Sequence, residues 1–155
     1  MLTIGDKIPE INAIIEGNVP FKFPNKEGKK LVLYFYPKDD TPGCTKEAMS
    51  FSEQLAVFKA ENTIIMGVSR DSVTKHEKFI CKYDLQINLI SDDDGTLCNI
   101  FGTWVEKKMY GKVYMGIERS TYLIGADGTI INIWRKVRVQ GHADEVLKEA
   151  RAINK

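Results

Sequence analysis

The chain predicts an α/β fold, a central mixed β-sheet flanked by helices, and three observations carry that prediction. Two runs of strand length, the continuously apolar residues 31–36 (LVLYFY) and residues 63–69 (TIIMGVS), read as buried strands. Each is followed by a stretch whose apolar residues return at three- and four-residue steps, the spacing of one helix face. Later, two β-prone runs flank the loop Gly125-Ala126-Asp127-Gly128, a hairpin signature, and an amphipathic stretch closes the chain.

Taken in order, residues 1–30 form an entry segment. Ile11, Ala13 and Ile15 alternate with Asn12 and Ile14, a weak strand signal, and Gly17-Asn18 turns the chain back into residues 19–23. A polar loop over 24–30 leads to the first buried strand, which Pro37 ends because it has no N–H to give the ladder. Ala48, Phe51, Leu55 and Phe58 then mark a helix. After the 63–69 strand, Asp71 and Ser72 are helix-start residues. The next helix carries Val73, His76, Ile80 and Tyr83 on one stripe with Phe79 at its margin. A short extended run lies within 85–91, Asp92–Gly95 makes a turn, and Leu97, Ile100, Phe101 and Trp104 fit a short helix. Residues 106–116 read as a glycine-punctuated loop with hairpin character. Runs 120–124 and 129–134 form the hairpin, and Ala143, Val146, Leu147, Ala150 and Ile153 the last helix. Strand–helix–strand–helix followed by hairpin–helix is the order of a thioredoxin-like fold, here with an N-terminal β extension.

Length and composition bound the function. The 155 residues are read as one domain, 1–155, large enough for a core without disulfide staples. Lys+Arg 22 against Asp+Glu 21 gives a formal charge of +1, which points to neither a nucleic acid nor an acidic membrane as partner. No basic, apolar leader and no membrane-length run is visible, so a cytoplasmic location is expected. The three cysteines are odd in number and form no C-x-x-C pair. That argues against a secreted disulfide framework and a structural zinc site.

Chemistry gathers where the first buried strand hands over to a helix. Cys44 falls in that helix's first turn, where unpaired backbone N–H groups and the positive end of the dipole favour a thiolate. The segment Pro37-Lys38-Asp39-Asp40-Thr41-Pro42-Gly43-Cys44 matches the pattern Pro-x-x-x-Thr-x-x-Cys. GDKIPE near the start, GVSRDS at 67–72, LISDDDG at 89–95 and FGTWVEKKMYGKVYMGIERSTYLI at 101–124 accompany it in order. This set resembles the peroxiredoxins, and among them the peroxiredoxin Q subfamily, also called bacterioferritin comigratory protein, over nearly the whole chain.

The resemblance implies reduction of hydrogen peroxide and organic hydroperoxides, with electrons drawn from thioredoxin or another thiol reductant, in a mostly monomeric protein. Matched by position, Cys44 is the peroxidatic cysteine, and Thr41 and Arg119 hydrogen-bond peroxide and thiolate. Pro37 matches the residue that shields the sulfur, and Glu47 the acid beside it. The residues have plainer readings too. Thr41 also suits a helix cap, Arg119 alone would be a solvated surface charge, and Cys44 alone an inert buried thiol. The chemistry needs no cofactor, and no ligand set for a metal, flavin or haem is visible.

One departure matters. Many subfamily members keep a second, resolving cysteine five residues after the first, and here that position is Met49. Cys81 lies on the polar face of its helix, beside Glu77 and Lys78, and is the candidate resolving thiol. Bond formation would require local opening of both helices to bring the two Cα atoms within about 7 Å. Cys98, next to Leu97, Ile100 and Phe101, reads as structural. If neither resolves, an external thiol serves a one-cysteine cycle. Two rivals remain: a general thiol–disulfide oxidoreductase, opposed by the missing C-x-x-C, and a non-catalytic redox sensor or holdase. Asp92–Gly95 lacks the carboxylate spacing of a calcium loop. His76 and His142 lie away from any cysteine pair. Phe101, Trp104, Tyr110 and Tyr114 are expected at the core and rim of the pocket rather than as a nucleic-acid platform.

Overall fold

The computed structural model describes residues 1–25 and 27–153; Lys26 of the polar 24–30 loop and residues 154–155 lie outside it. The elements run β1 (Ile11–Ile15), β2 (Val19–Phe23), β3 (Lys30–Phe35), α1 (Pro42–Glu53), α2 (Leu55–Ala60), β4 (Thr63–Ser69), α3 (Val73–Tyr83) and β5 (Asn88–Ser91). Then follow α4 (Thr96–Phe101), β6 (Trp104–Met109), β7 (Lys112–Ile117), β8 (Ser120–Ile124), β9 (Ile130–Trp134) and α5 (His142–Ala152). One seven-stranded sheet has the order β2-β1-β5-β4-β3-β8-β9, and β6 and β7 form a separate ribbon. β3, β4 and β5 are parallel, while β8 joins β3 and β9 joins β8 antiparallel. This is the expected thioredoxin-like α/β architecture with its N-terminal β extension.

The period of a strand divides the core in two. Leu31, Leu33 and Phe35 of β3 enter one cluster, with Leu97, Cys98 and Phe101 of α4 and Ile117 of β7. Val32, Tyr34 and Tyr36 enter the other, with Ala48 and Phe51 of α1, Phe58 of α2, Phe79 of α3 and Val146 and Leu147 of α5. Every residue from Leu31 to Tyr36 is buried, so the run that looked like a central strand is one.

Three details differ from expectation. Trp104 does not extend the short helix: Gly102, at φ 69°, ends α4, and Trp104 opens β6 opposite Ile117. The 106–116 loop is a full hairpin, turned at Tyr110 (φ 52°) and Gly111 (φ 76°), the left-handed pair a tight two-residue connection uses. On α3, Phe79 is central rather than marginal. His76 and Phe79 are buried while Val73, Ile80 and Tyr83 are half-buried, because two hydrogen bonds turn His76 inward.

Candidate active site

β3 delivers the chain to the site. Tyr36 N–H still donates to Val68 O at 3.0 Å, and beyond it Pro37 is exposed at the head of the loop. The loop reverses at Asp40, whose φ is 58°, a left-handed value that aspartate tolerates. Thr41 has the extended backbone of a helix N-cap, and Pro42 takes the first helical position, where its missing N–H costs nothing. The Thr41 hydroxyl does not cap the helix: it donates to Lys38 O at 2.9 Å. A carbonyl can only accept, so the proton is committed there and the hydroxyl offers its lone pairs elsewhere. The first N–H to bond into α1 is that of Thr45, to Thr41 O at 2.9 Å. The N–H groups of Gly43 and Cys44 have no partner among the described residues.

Cys44 is 2% exposed and faces a guanidinium. Arg119 sits between β7 and β8, its own carbonyl accepting from Val137 N–H at 3.0 Å. Its Nη2 donates to Cys44 Sγ at 3.3 Å and its Nη1 to Glu47 Oε1 at 2.6 Å. The fork therefore spans the sulfur and the acid one helical turn beyond it, a geometry suited to arginine. Gly43 makes room for this: a Cβ there would stand 3.2 Å from Nη2. Burial pushes the Glu47 carboxyl up to about 7, against the opposing pull of Arg119. Its second oxygen is buried without a hydrogen-bond partner among the described residues, as is the Tyr34 hydroxyl.

The loop is also anchored from beneath. The buried Asp39 carboxylate takes the Tyr36 hydroxyl at 2.5 Å on Oδ1 and His76 Nδ1 at 2.6 Å on Oδ2. Asp39 N–H donates to Asp71 Oδ2 at 2.8 Å. His76, fully buried, reaches Ile90 O through Nε2 at 2.9 Å. Asp40 pairs with Lys82 at 2.8 Å and accepts from the Tyr83 hydroxyl. The bonds from the loop to Asp71, His76, Lys82 and Tyr83 were not legible from spacing, since their partners stand 32 to 43 positions apart. His142 is likewise buried, with Nε2 2.7 Å from Thr121 Oγ1. Burial, with the nearby Arg119 charge, lowers its pKa to about 4.

The expected site residues fall into three groups. Cys44, Glu47 and Arg119 are in direct contact, and Thr41 stands at the helix entry. Pro37 is nearby in sequence but exposed. Cys81 lies on the exposed face of α3 with its thiol free, apart from the buried Cys44. Cys98 is fully buried, and burial together with the Asp92 carboxylate pushes its thiol up to about 12. Asp92 itself accepts from Leu97 and Cys98 N–H at 2.9 Å, so the acidic turn is a helix anchor. Tyr110, 97% exposed at the hairpin tip, is not part of a pocket rim. No group of His, Cys, Asp and Glu suited to a metal occurs among the described residues, and no helix among them is long and apolar enough to cross a membrane.

Comparison with known proteins adds a family. Residues 4–133 match the AhpC/TSA family. The chain is 50% identical over 125 residues to peroxiredoxin Bcp of Xanthomonas campestris, covering 81% of this chain and 78% of that one. It is 45% identical over 147 residues to peroxiredoxin Bcp of Bacillus subtilis, covering 95% and 94%. A structure of the Xanthomonas campestris bacterioferritin comigratory protein, from work on its alkyl peroxide reduction in trapped intermediate and ligand complexes, superposes with TM-score 0.88 over 94% of this chain and 92% of that one at 43% identity. Structures of serine variants of two cysteines of Xanthomonas campestris peroxiredoxin Q superpose as well, with TM-scores of 0.88 and 0.87. A cysteine-to-serine variant of PrxQ from Xylella fastidiosa superposes with TM-score 0.94 over 100% and 99% of the two chains at 40% identity.

Proposed function

The chain belongs to the AhpC/TSA family and is a thiol-dependent peroxidase of the peroxiredoxin Q group, and from that premise we propose that Cys44 is the sulfur that reduces hydrogen peroxide and organic hydroperoxides. The observation that carries the assignment is the Arg119 Nη2–H donating to Cys44 Sγ at 3.3 Å at the start of a helix. A thiolate attacks one peroxide oxygen: an S–O bond forms, the O–O bond breaks, and hydroxide or alkoxide departs and takes a proton. The sulfur is oxidised to sulfenic acid and the peroxide reduced. Because the Thr41 proton is held by Lys38 O, its hydroxyl accepts from the peroxide O–H. The Gly43 and Cys44 N–H groups and Arg119 donate to the oxygen that gains charge. Pro37 covers the loop side of the sulfur, and Glu47 holds the guanidinium in place.

Cys81 resolves the sulfenic acid. Its sulfur attacks that of Cys44, a disulfide forms, and the hydroxide released becomes water. Cys98 is kept protonated by burial and takes no part. A dithiol such as thioredoxin returns two electrons by exchange at the disulfide. We read the chain as a single domain working as a monomer, since one chain supplies Cys44, Thr41, Glu47 and Arg119. A cytoplasmic setting suits a cycle that depends on a reducing thiol pool.

Steady-state peroxide consumption with thioredoxin tests the scheme. Cys44→Ser abolishes turnover, Cys81→Ser stops thioredoxin-linked turnover while leaving the first oxidation intact, and Cys98→Ser changes neither. Undiminished thioredoxin-linked turnover in Cys81→Ser would assign resolution to an outside thiol.

A further inference from the structure

The two aspartates of the loop, Asp39 and Asp40, both hold α3, the helix that carries Cys81. Asp39 is tied to His76 near its start, and Asp40 to Lys82 and Tyr83 at its end. Cys81 is flanked by that second anchor. Cys44 is buried under the loop and Cys81 is exposed on α3, so the two sulfurs meet only if loop and helix part.

The hydrogen-bond stereochemistry sets the state of the buried anchor. Ile90 O can only accept, so His76 Nε2 carries a proton. Asp39 Oδ1 accepts the Tyr36 hydroxyl, and the 2.6 Å contact between Oδ2 and Nδ1 needs one further proton between them. Aspartate and histidine thus share a single proton and together carry no net charge, which is how such a pair is tolerated in a fully buried place. Separating loop from α3 breaks the pair and exposes both halves.

We propose that the Asp39–His76 pair, assisted by Asp40 with Lys82 and Tyr83, is a positioning latch that holds the loop for the peroxide step and must open before Cys81 can reach Cys44. The two half-reactions make opposite demands on it. Peroxide reduction needs Thr41 and the helix entry fixed, whereas disulfide formation needs them released. Asp39 and His76 are positioning residues: they act through the Pro37–Thr41 loop and touch neither sulfur. This inference rests on the assignment of Cys81 as resolving thiol.

Rapid-mixing kinetics on the intact reduced protein separate the two steps. Asp39→Asn is expected to slow sulfenic acid formation about tenfold and to speed the subsequent Cys44–Cys81 disulfide step by a similar factor. Lys82→Met combined with Tyr83→Phe, which removes only the assisting anchor at the end of α3, is expected to slow the peroxide step about threefold, less than Asp39→Asn does, and to speed disulfide formation about threefold. Nitrogen-15 spectra of His76 report the proton directly: both ring nitrogens bear or share one in the wild type, and in Asp39→Asn Nδ1 becomes a bare acceptor. A slower or unchanged disulfide step in both variants overturns the latch, as does a bare Nδ1 in the wild type. Wild-type protein that forms sulfenic acid but no Cys44–Cys81 disulfide removes the resolving assignment and the latch with it. Wild-type protein that forms no sulfenic acid removes the peroxidase assignment instead.

Discussion

Arg119 is the residue on which the site turns, because a single planar fork reaches both a sulfur and a carboxylate. Its two terminal nitrogens are used separately, Nη1 on Glu47 and Nη2 on Cys44. An ammonium on a flexible stem keeps the charge but offers no fixed pair of donors. Arg119→Lys is therefore expected to lower kcat/KM for peroxide by roughly a hundredfold, the range seen when one preorganised donor is removed from a site that stabilises developing charge. Stopped-flow oxidation of Cys44 measures it, and a loss under about threefold would mean that charge alone, without geometry, activates the sulfur. Glu47 is what makes the fork expensive to keep. One of its oxygens is buried with no partner among the described residues, a state proteins avoid unless position matters more than stability.

At the scale of elements, α1 exists to bring backbone donors and a thiol to the end of β3, and Gly43 shows the compromise. Alanine is the better helix former, so Gly43→Ala is expected to raise stability by at most about 1 kcal/mol. The added Cβ would stand 3.2 Å from Arg119 Nη2, so the guanidinium must shift by a few tenths of an ångström. Activity should then fall about tenfold while stability holds or rises, an effect of misplacement on chemistry. Urea denaturation and peroxide kinetics on the same variant decide it, and unchanged kinetics would show that the fork tolerates the shift. Part of this was legible from the chain: the buried strand and the proline-led helix start each carry a local pattern, whereas Arg119 by itself reads as a surface charge and was reached only through the family resemblance. The hairpin of β6 and β7 was harder. Its strands pair mainly with each other and leave Met109, Val113 and Met115 more than half exposed, so burial imposes little alternation on the sequence. The latch was invisible for a different reason. His76 on an apolar stripe reads as a core residue, and only folding brings Asp39 against it from 37 positions away.

At the scale of the whole molecule, two of the buried titrating groups described around Arg119, Glu47 and His142, act on stability in opposite directions. Glu47 has its pKa raised by burial from 4.5 to about 7. The folded state therefore holds a proton that the unfolded chain has lost, and the contribution is full below 4.5 and disappears as pH rises through 7. His142 has its pKa lowered by burial, and then by the Arg119 charge, from 6.5 to about 4. Here the unfolded chain binds the extra proton, so the contribution is full above 6.5 and is lost as pH falls through 4. Each slope is about 1.4 kcal/mol per pH unit, and each window spans about 3 kcal/mol in all. Between 4.5 and 6.5 the two cancel, and these groups together leave stability nearly flat there. Urea unfolding of the reduced protein at a series of pH values separates them, because all other groups cancel when wild type is compared with a variant. The stability of wild type relative to Glu47→Gln should fall by about 3 kcal/mol as pH rises through that carboxyl's window. Relative to His142→Gln it should rise by a similar amount as pH climbs through the imidazole's window. Two differences with the same sign, or two flat ones, would mean that the charges around Arg119 are solvated after all, and that the sulfur's surroundings are wetter than this packing allows.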